Sequence, residues 1–518
     1  MALVNRDSML SRLGAATTPW DVVVVGGGAT GLGCAVDAAA RSLTTLLIER
    51  ADFASGTSSK STKLIHGGVR YLRGGQIGLV AQSLRERERL RRNAPGLVGK
   101  IDFLVPTRRI GSRAFYALGL GLYDALSGGA GATRVLSRAA VHSRMPGLAM
   151  EGLRGGVVYE DDQFDDARLA LGLAHTAAEL GAVVVNYAAA EALLSHNGRV
   201  AGVVVRDRES GRTFEVPARA VINASGVHAD HIRRMDDPAT TPIIRTSRGA
   251  HIVLDRAFLP GETAVMIPRT DDGRVVFLIP WRGRVLVGTT DTACDVTDDP
   301  VASADDIAFL LSHAARVLER TPALGDVKSA FAGLRPLLAR GSGATASLSR
   351  DHRVFVSPRG LVTIAGGKWT TYRSMAEDAV DRAVAVGGIS APRSRTASLA
   401  IFAGDVDARD NDPLERAAMG LNDHDVDEFA RLAARNHMAR TLEDVLARRS
   451  RALVLDANGA ARIAPRIATI LASELGRTDE WAEKEVSAFT AAAARWLPAL
   501  ARHSGSTTPP ASGFSRMT

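Results

Sequence analysis

Three glycines, Gly26, Gly28 and Gly31, stand in GxGxxG spacing directly after a β-branched run at 22–25 and at the head of an alanine-rich segment. The spacing suits phosphate chemistry. Gly26 permits a tight turn, Gly28 lets the backbone approach a pyrophosphate, and Gly31 allows a helix to pack closely on the preceding strand. A helix starting here would aim its free N–H groups and positive dipole end at the phosphates. Glu49 closes a second apolar run, where its carboxylate can accept hydrogen bonds from ribose hydroxyls; a glutamate here argues against a 2′-phosphate. Alone, a glycine triplet is a weak signal. Strand, turn, helix, second strand and acid in register predict a dinucleotide cradle over residues 21–50.

The motif does not separate NAD from FAD, but the chain after Glu49 does. A further parallel βα unit would suit an NAD enzyme. The sequence instead runs DFASGTSSKSTKLIHGGVRYL, a loop of hydroxyls, lysines and glycines. Such a loop can satisfy a pyrophosphate and reach toward a flavin ring through backbone N–H groups. FAD is therefore the expected cofactor.

The elements that must position this cradle follow from periodicity and punctuation. Residues 21–49 read as a βαβ unit, and 79–92 as a solvated helix in which Glu88 and Arg92 can pair at i,i+4. A helix at 167–180 is mixed with short β-branched runs at 183–185, 203–205 and 220–223. Segments 275–280 and 284–289 flank a Gly-containing turn and read as a hairpin. Ser303 is placed to cap a helix over 304–320; a strand at 362–364 and a helix at 371–385 follow. Composition shifts to Gly, Pro, Ser and Asp around 387–413, a candidate linker. Helical segments then occupy 426–435, 442–449, 463–475 and 481–497. The expected fold class is α/β with mixed sheets. A helical domain is expected over 391–505 and a disordered tail over 506–518.

Two cysteines, neither in a CxxC pair, leave no basis for a zinc site or a disulfide framework, and no metal is expected. That cysteine usage suits a reducing cytoplasm, and the polar N-terminus lacks the apolar core of a signal peptide. A net charge of +8 favours anionic partners: a phosphorylated substrate, nucleic acid or an acidic membrane surface. No RNP-like or helix-turn-helix pattern supports nucleic acid. No apolar run reaches the roughly 20 residues that span a bilayer. The segment AFYALGLGLYDAL at 114–126 follows Arg108, Arg109 and Arg113 and is apolar around most of its circumference. A buried core helix is the expected outcome, and a shallow interfacial anchor the alternative.

Blocks along most of the chain resemble one family, the FAD-dependent aerobic glycerol-3-phosphate dehydrogenases. They include GTSSKSTKLIHGGVRYL at 56–72, YEDDQFDDARL at 159–169, INASGVHAD at 222–230 and RVVFLIPW at 274–281. GTTD at 288–291, AGLRPL at 332–337, SRD at 349–351 and AGGKWTTYR at 365–373 continue the match. LEDVLARRSR at 442–451 looks like the family's terminal domain. The resemblance implies a glutathione-reductase-like FAD domain interleaved with a mixed-sheet substrate domain and capped by helices. It implies that FAD-binding and substrate-binding parts interleave over 1–390, with the cradle at 20–75 and the substrate part mainly at 76–160 and 235–350. It also implies oxidation of sn-glycerol 3-phosphate to dihydroxyacetone phosphate, electrons leaving through FAD to a membrane quinone. Peripheral association with the inner face of the cytoplasmic membrane follows from it, and a homodimer is compatible with it.

The same resemblance assigns substrate contact to Arg70, Tyr71, Arg274, Thr290, Arg335, Arg350 and Lys368, with Arg335 and Lys368 at the flavin face. Cations suit a phosphorylated substrate because guanidinium binds phosphate in forked geometry. Besides Gly26, Gly28, Gly31 and Glu49, the cofactor set comprises Arg50, Thr57, Ser58, Lys63 and Leu64, then His66, Gly67, Gly226 and Thr370. Oxidising an alcohol also needs a proton acceptor. His66 and His251 have suitable intrinsic pKa values, and His66 joins Arg335 and Lys368 in the catalytic set. The chain departs from the family at His228, where an aromatic residue is usual, and at Trp369, where a small aliphatic is usual. An oxidase passing electrons from the same substrate to oxygen is the nearest alternative. A D-amino-acid or sarcosine-type oxidase shares the cradle but would need a carboxylate clamp.

Overall fold

The computed structural model describes residues 5–69, 77–127, 133–339, 351–402, 412–421 and 424–498. Valines 22–24 are wholly buried because their strand, Trp20–Val25, lies mid-sheet between parallel neighbours. The parallel order is Val183–Val185, Thr45–Ile48, Trp20–Val25, Thr213–Asn223, Val362–Gly366. Continuous apolar strands of this kind are what a helix-covered parallel sheet requires. The first helix of the cradle, Ala29–Ala40, packs against Tyr372–Gly387 and Asp166–Glu179. A Cβ at Gly33 would stand 2.9 Å from the Tyr372 ring, so that glycine sets the helix–helix spacing.

Among the described residues the second sheet has ten strands, drawn mainly from residues 98–164 and 244–338. Its long members are Val98–Thr107, paired antiparallel with Gly155–Phe164, and Ile244–Asp255, paired with Ser329–Leu338 and Arg284–Gly288. The expected hairpin forms between Val276–Trp281 and Arg284–Gly288, turning through Arg282 (φ +47°) and Gly283 (φ +73°). Two left-handed residues in a two-residue turn match the twist of the flanking strands.

The helices after residue 412 carry their own apolar cluster, in which Leu414, Val426, Leu446, Ile467, Leu471 and Phe489 are buried. They are seated on the rest of the molecule by charge. Arg448 and Arg449 both reach the buried carboxylate of Asp52, and Arg282 meets Glu415 at 2.7 Å.

Three expectations change. The helix capped by Ser303 ends at Ala315, not 320. Val317 and Leu318 turn inward to become buried, and the backbone of 317–319 pairs with Gly147 and Ala149 instead of continuing the helix. Segment 442–449 is a π-helical turn, Asp444–Arg449, not an α-helix. The apolar segment at 114–126 is not a buried core helix. It forms Ser112–Leu126, whose inner face (Leu120, Tyr123) is buried while Phe115, Leu118 and Leu122 are 65 %, 79 % and 49 % exposed. Residues 115, 118 and 122 fall on one helical face. The segment is apolar all round, but only one side has protein to pack on.

Candidate active site

The cradle is built by close backbone approach. Gly26 has φ +113°, and a Cβ there would lie 2.7 Å from the Ala224 carbonyl oxygen; at Gly31 a Cβ would overlap the Gly26 carbonyl. Neither position tolerates a side chain. Gly28 caps the helix without any side-chain acceptor of its own. Ser58, from the loop after the second strand, accepts from Ala29 N at 2.9 Å and so closes over the helix N-terminus. Glu49 braces the turn: its two carboxylate oxygens accept from Gly27 N (2.7 Å) and Ala51 N (2.9 Å), and burial pushes its pKa up. Each oxygen keeps a lone pair for a ribose hydroxyl.

From this turn a cavity of about 1370 Å³ runs to the face of the second sheet. That exceeds the roughly 300–1,000 Å³ of an ordinary small-molecule pocket, as an extended dinucleotide demands. Gly26, Gly28, Glu49, Arg50, Thr57 and Ser58 line it, as do Leu64, His66, Gly226 and Thr370. The helix start whose own N-cap residue offers no side-chain acceptor, the glycines that admit no Cβ, and the length of the cavity fit FAD. Ser58 and the Gly28–Thr30 backbone would hold the pyrophosphate.

Several expected residues lie elsewhere or serve differently. Lys63 is fully buried on Asp166 and the Ser59 carbonyl (both 2.7 Å), where burial lowers its pKa to about 8; it braces the loop and does not line the cavity. Gly67 and Gly31 act through packing, Gly67 against Leu84 and the Tyr123 hydroxyl. Arg274 is drawn onto Asp272 and over the Phe309 ring, 4.6 Å from its centroid, away from the cavity lining. Thr290 is buried and structural: its hydroxyl accepts from Ala250 N at 2.9 Å. Arg70, Tyr71 and Arg350 lie outside the described residues.

Arg335, Lys368, His66 and His251 all line this cavity. Arg335 projects from strand Ser329–Leu338 and donates to the Thr289 hydroxyl (3.0 Å) and the Thr290 carbonyl (2.9 Å). Its guanidinium lies across the backbone of Gly249, where any Cβ would overlap it. Lys368 precedes the short turn Trp369–Thr371. Trp369 also lines the cavity, and its indole N–H donates to the Ser58 carbonyl at 2.8 Å, tying this turn to the pyrophosphate loop. His251 meets the Thr62 hydroxyl at 2.9 Å and stacks on Phe331, ring centroids 4.9 Å apart. Burial, with Lys63 and Arg335 nearby, holds its pKa well below the usual histidine range.

The sequence reading missed Thr62, Thr289 and Gly249, which orient these groups. Thr62 and Thr289 stood inside recognised blocks, but only strand pairing shows which way they face. Arg451, which reaches Ser59 and Asp166 from the C-terminal helices, stands at the end of the LEDVLARRSR block, where nothing local points to these partners.

Residues 21–373 match the model of the FAD dependent oxidoreductase family, and residues 405–483 that of the C-terminal domain of alpha-glycerophosphate oxidase. The chain is 43% identical over 406 residues to the mitochondrial glycerol-3-phosphate dehydrogenase of Mus musculus, covering 75% of this chain and 56% of that protein. The mitochondrial enzyme of Arabidopsis thaliana is 44% identical over 405 residues, covering 74% and 64%. The chain thus spans little more than half the length of the curated relatives it matches. Among solved structures, the glycerol-3-phosphate dehydrogenase of Bacillus halodurans complexed with FAD aligns with a TM-score of 0.77 at 28% identity, covering 96% of this chain and 99% of that one. An L-alpha-glycerophosphate oxidase from Mycoplasma pneumoniae with FAD bound shares the fold, with a TM-score of 0.57 at 19% identity, over 73% and 97%. With a cradle shaped for a dinucleotide and a family match across more than half its length, the chain belongs to the FAD-dependent oxidoreductases.

Proposed function

We propose that this flavoprotein oxidises sn-glycerol 3-phosphate to dihydroxyacetone phosphate and passes the electrons to a membrane quinone. One observation carries the reading: Arg335 and Lys368 line the same cavity as the FAD cradle, and so do His66 and His251. Two cations at the reacting end suit a phosphorylated alcohol; a D-amino-acid oxidase would pair its clamp with an apolar side-chain pocket. Names carried by the relatives agree with this substrate.

Bound FAD supplies the two-electron acceptor for the hydride that leaves C2. Arg335, fixed by Thr289 and the Thr290 carbonyl, and Lys368 stabilise negative charge developing on the substrate oxygen. The C2 hydroxyl proton needs an acceptor whose pKa lies near working pH. His251 is held too far below that range by burial and its cationic neighbours, so the role is assigned to His66. His251 positions Thr62 instead.

The anionic-membrane partner is assigned to helix Ser112–Leu126. Phe115, Leu118 and Leu122 would enter the headgroup–acyl boundary, with Arg109 and Arg113 at the phosphate level. No helix among the described residues is long and apolar enough to cross a membrane. Residues 391–505 are proposed as a helical domain that docks on the cradle.

Anaerobic mixing of the purified yellow protein with glycerol 3-phosphate tests the reaction. Bleaching by that substrate, but not by glycerol or amino acids, is expected; a flavin that stays oxidised would sink the proposal. Peroxide released in stoichiometric yield under air would favour oxygen over quinone as acceptor.

A further inference from the structure

Residues 294–303 connect the strand Thr292–Ala293 to the helix Ala304–Ala315. Five consecutive members, Val296 to Pro300, line the cavity. This segment leaves the second sheet, yet Asp298 and Asp299 reach two other bodies. Asp298 pairs with Arg50 and lies 3.1 Å from His228 Nε2, both on the cradle side; Arg50 and His228 are themselves 3.0 Å apart. Asp299 pairs at 2.6 Å with Arg495, just past the last C-terminal helix.

The place is telling. Arg50 follows Glu49 at the end of the second strand, where a dinucleotide's ribose and adenine lie. The cavity wall there includes Ala188, Ala189 and Ala190, whose methyl groups offer an adenine no side-chain hydrogen bond. Closure at this end would therefore add to the direct polar contacts that Glu49 and Arg208 can offer. His228 belongs to this closure, at a position where the resembling family usually carries an aromatic residue.

We infer that residues 295–300 form a strap over the adenosine end of the FAD site, latched by Asp298 to Arg50 and His228 and by Asp299 to Arg495, and that opening this latch gates cofactor release. The inference rests on FAD occupying this cavity. The latching side chains are substantially exposed, Asp298 66% and Arg50 45%, so each pair is individually weak. Together they slow release without making it irreversible.

The test follows FAD release from the holoenzyme by the rise in flavin fluorescence on dilution. Asp298→Asn should accelerate release roughly threefold to tenfold, since about 1.4 kcal/mol is a factor of ten. Asp298→Glu should restore most of the parental rate, and high salt should narrow the gap between parent and Asp298→Asn. Asp326→Asn, which breaks the surface pair with Arg320 away from the cavity, serves as control. Unchanged release in Asp298→Asn, or equal acceleration in the Asp326→Asn control, would overturn the strap while leaving the cofactor assignment intact. Purified protein without flavin would overturn both.

Discussion

The guanidinium of Arg451, fully buried directly before the short helix Ala452–Leu455, donates to the carbonyl oxygen of Ser59 at 2.9 Å. Ser59 directly follows the residue that closes the pyrophosphate cradle. The same carbonyl accepts from Lys63, and Arg451 and Lys63 divide the two oxygens of Asp166 between them. The cradle loop is thus fixed from a part of the chain almost 400 residues away.

Arg451→Met should therefore destabilise by about 3–5 kcal/mol, since it strands the buried Asp166 carboxylate with one cation fewer. The purified variant is expected to lose flavin and melt earlier. A melting point and flavin content equal to the parent's would show that the C-terminal helices do not hold the loop.

Gly31→Ala should abolish FAD binding, because its Cβ would overlap the Gly26 carbonyl and push the helix from the strand. Gly111→Ala is a useful contrast: no neighbour lies within 4 Å of a Cβ there, so only the strain at φ +80° should register. The ratio of flavin to protein absorbance reads both; flavin retained by the Gly31 variant would refute this account of the turn.

Lys368→Ala should keep FAD but slow anaerobic flavin reduction about 10²- to 10³-fold, the usual scale for removing one charge-stabilising group. Stopped-flow bleaching measures it directly. Parental reduction kinetics would remove Lys368 from the site.

Acid should weaken the fold through His437. Its Nδ1 lies 2.9 Å from His175 Nε2, and burial with neighbouring cations lowers its pKa to about 3. The folded pKa lies below the unfolded value near 6.5, so the unfolded chain binds the extra proton between those limits. Stability from this group is complete above about pH 6.5 and falls by about 1.4 kcal/mol per unit as pH drops toward 3. His437→Gln should flatten that limb of denaturation midpoint against pH. An unaltered slope would mean other groups set the acid response.

Leu118→Asp should reduce flotation with anionic liposomes without changing flavin content, because the side chain is 79 % exposed. Flotation equal to the parent's would move the membrane contact to another surface.

Much of this was legible in the linear chain. The cradle was, because its turn, helix and acid lie within 30 residues and each acts on its sequence neighbours. Helix Ser112–Leu126 was not, since an apolar circumference says nothing about which side finds protein. Arg274 shows the same limit: its type suited a phosphate, but Asp272, two residues away, captured it.

The sequence by itself determined the local chemistry: glycines that only a close-packed βαβ turn requires, a loop able to meet a pyrophosphate, and blocks that mark a flavoenzyme. Only the tertiary structure decided which cations face the cavity. It joined Arg335 to Thr289 through strand pairing, withdrew Lys63 into an ion network with Asp166 and Arg451, and drew Asp298 across to Arg50. The reason is physical. Backbone turns are set by sequence neighbours, whereas the partner of a long charged side chain is set by whatever the folded chain brings within its reach.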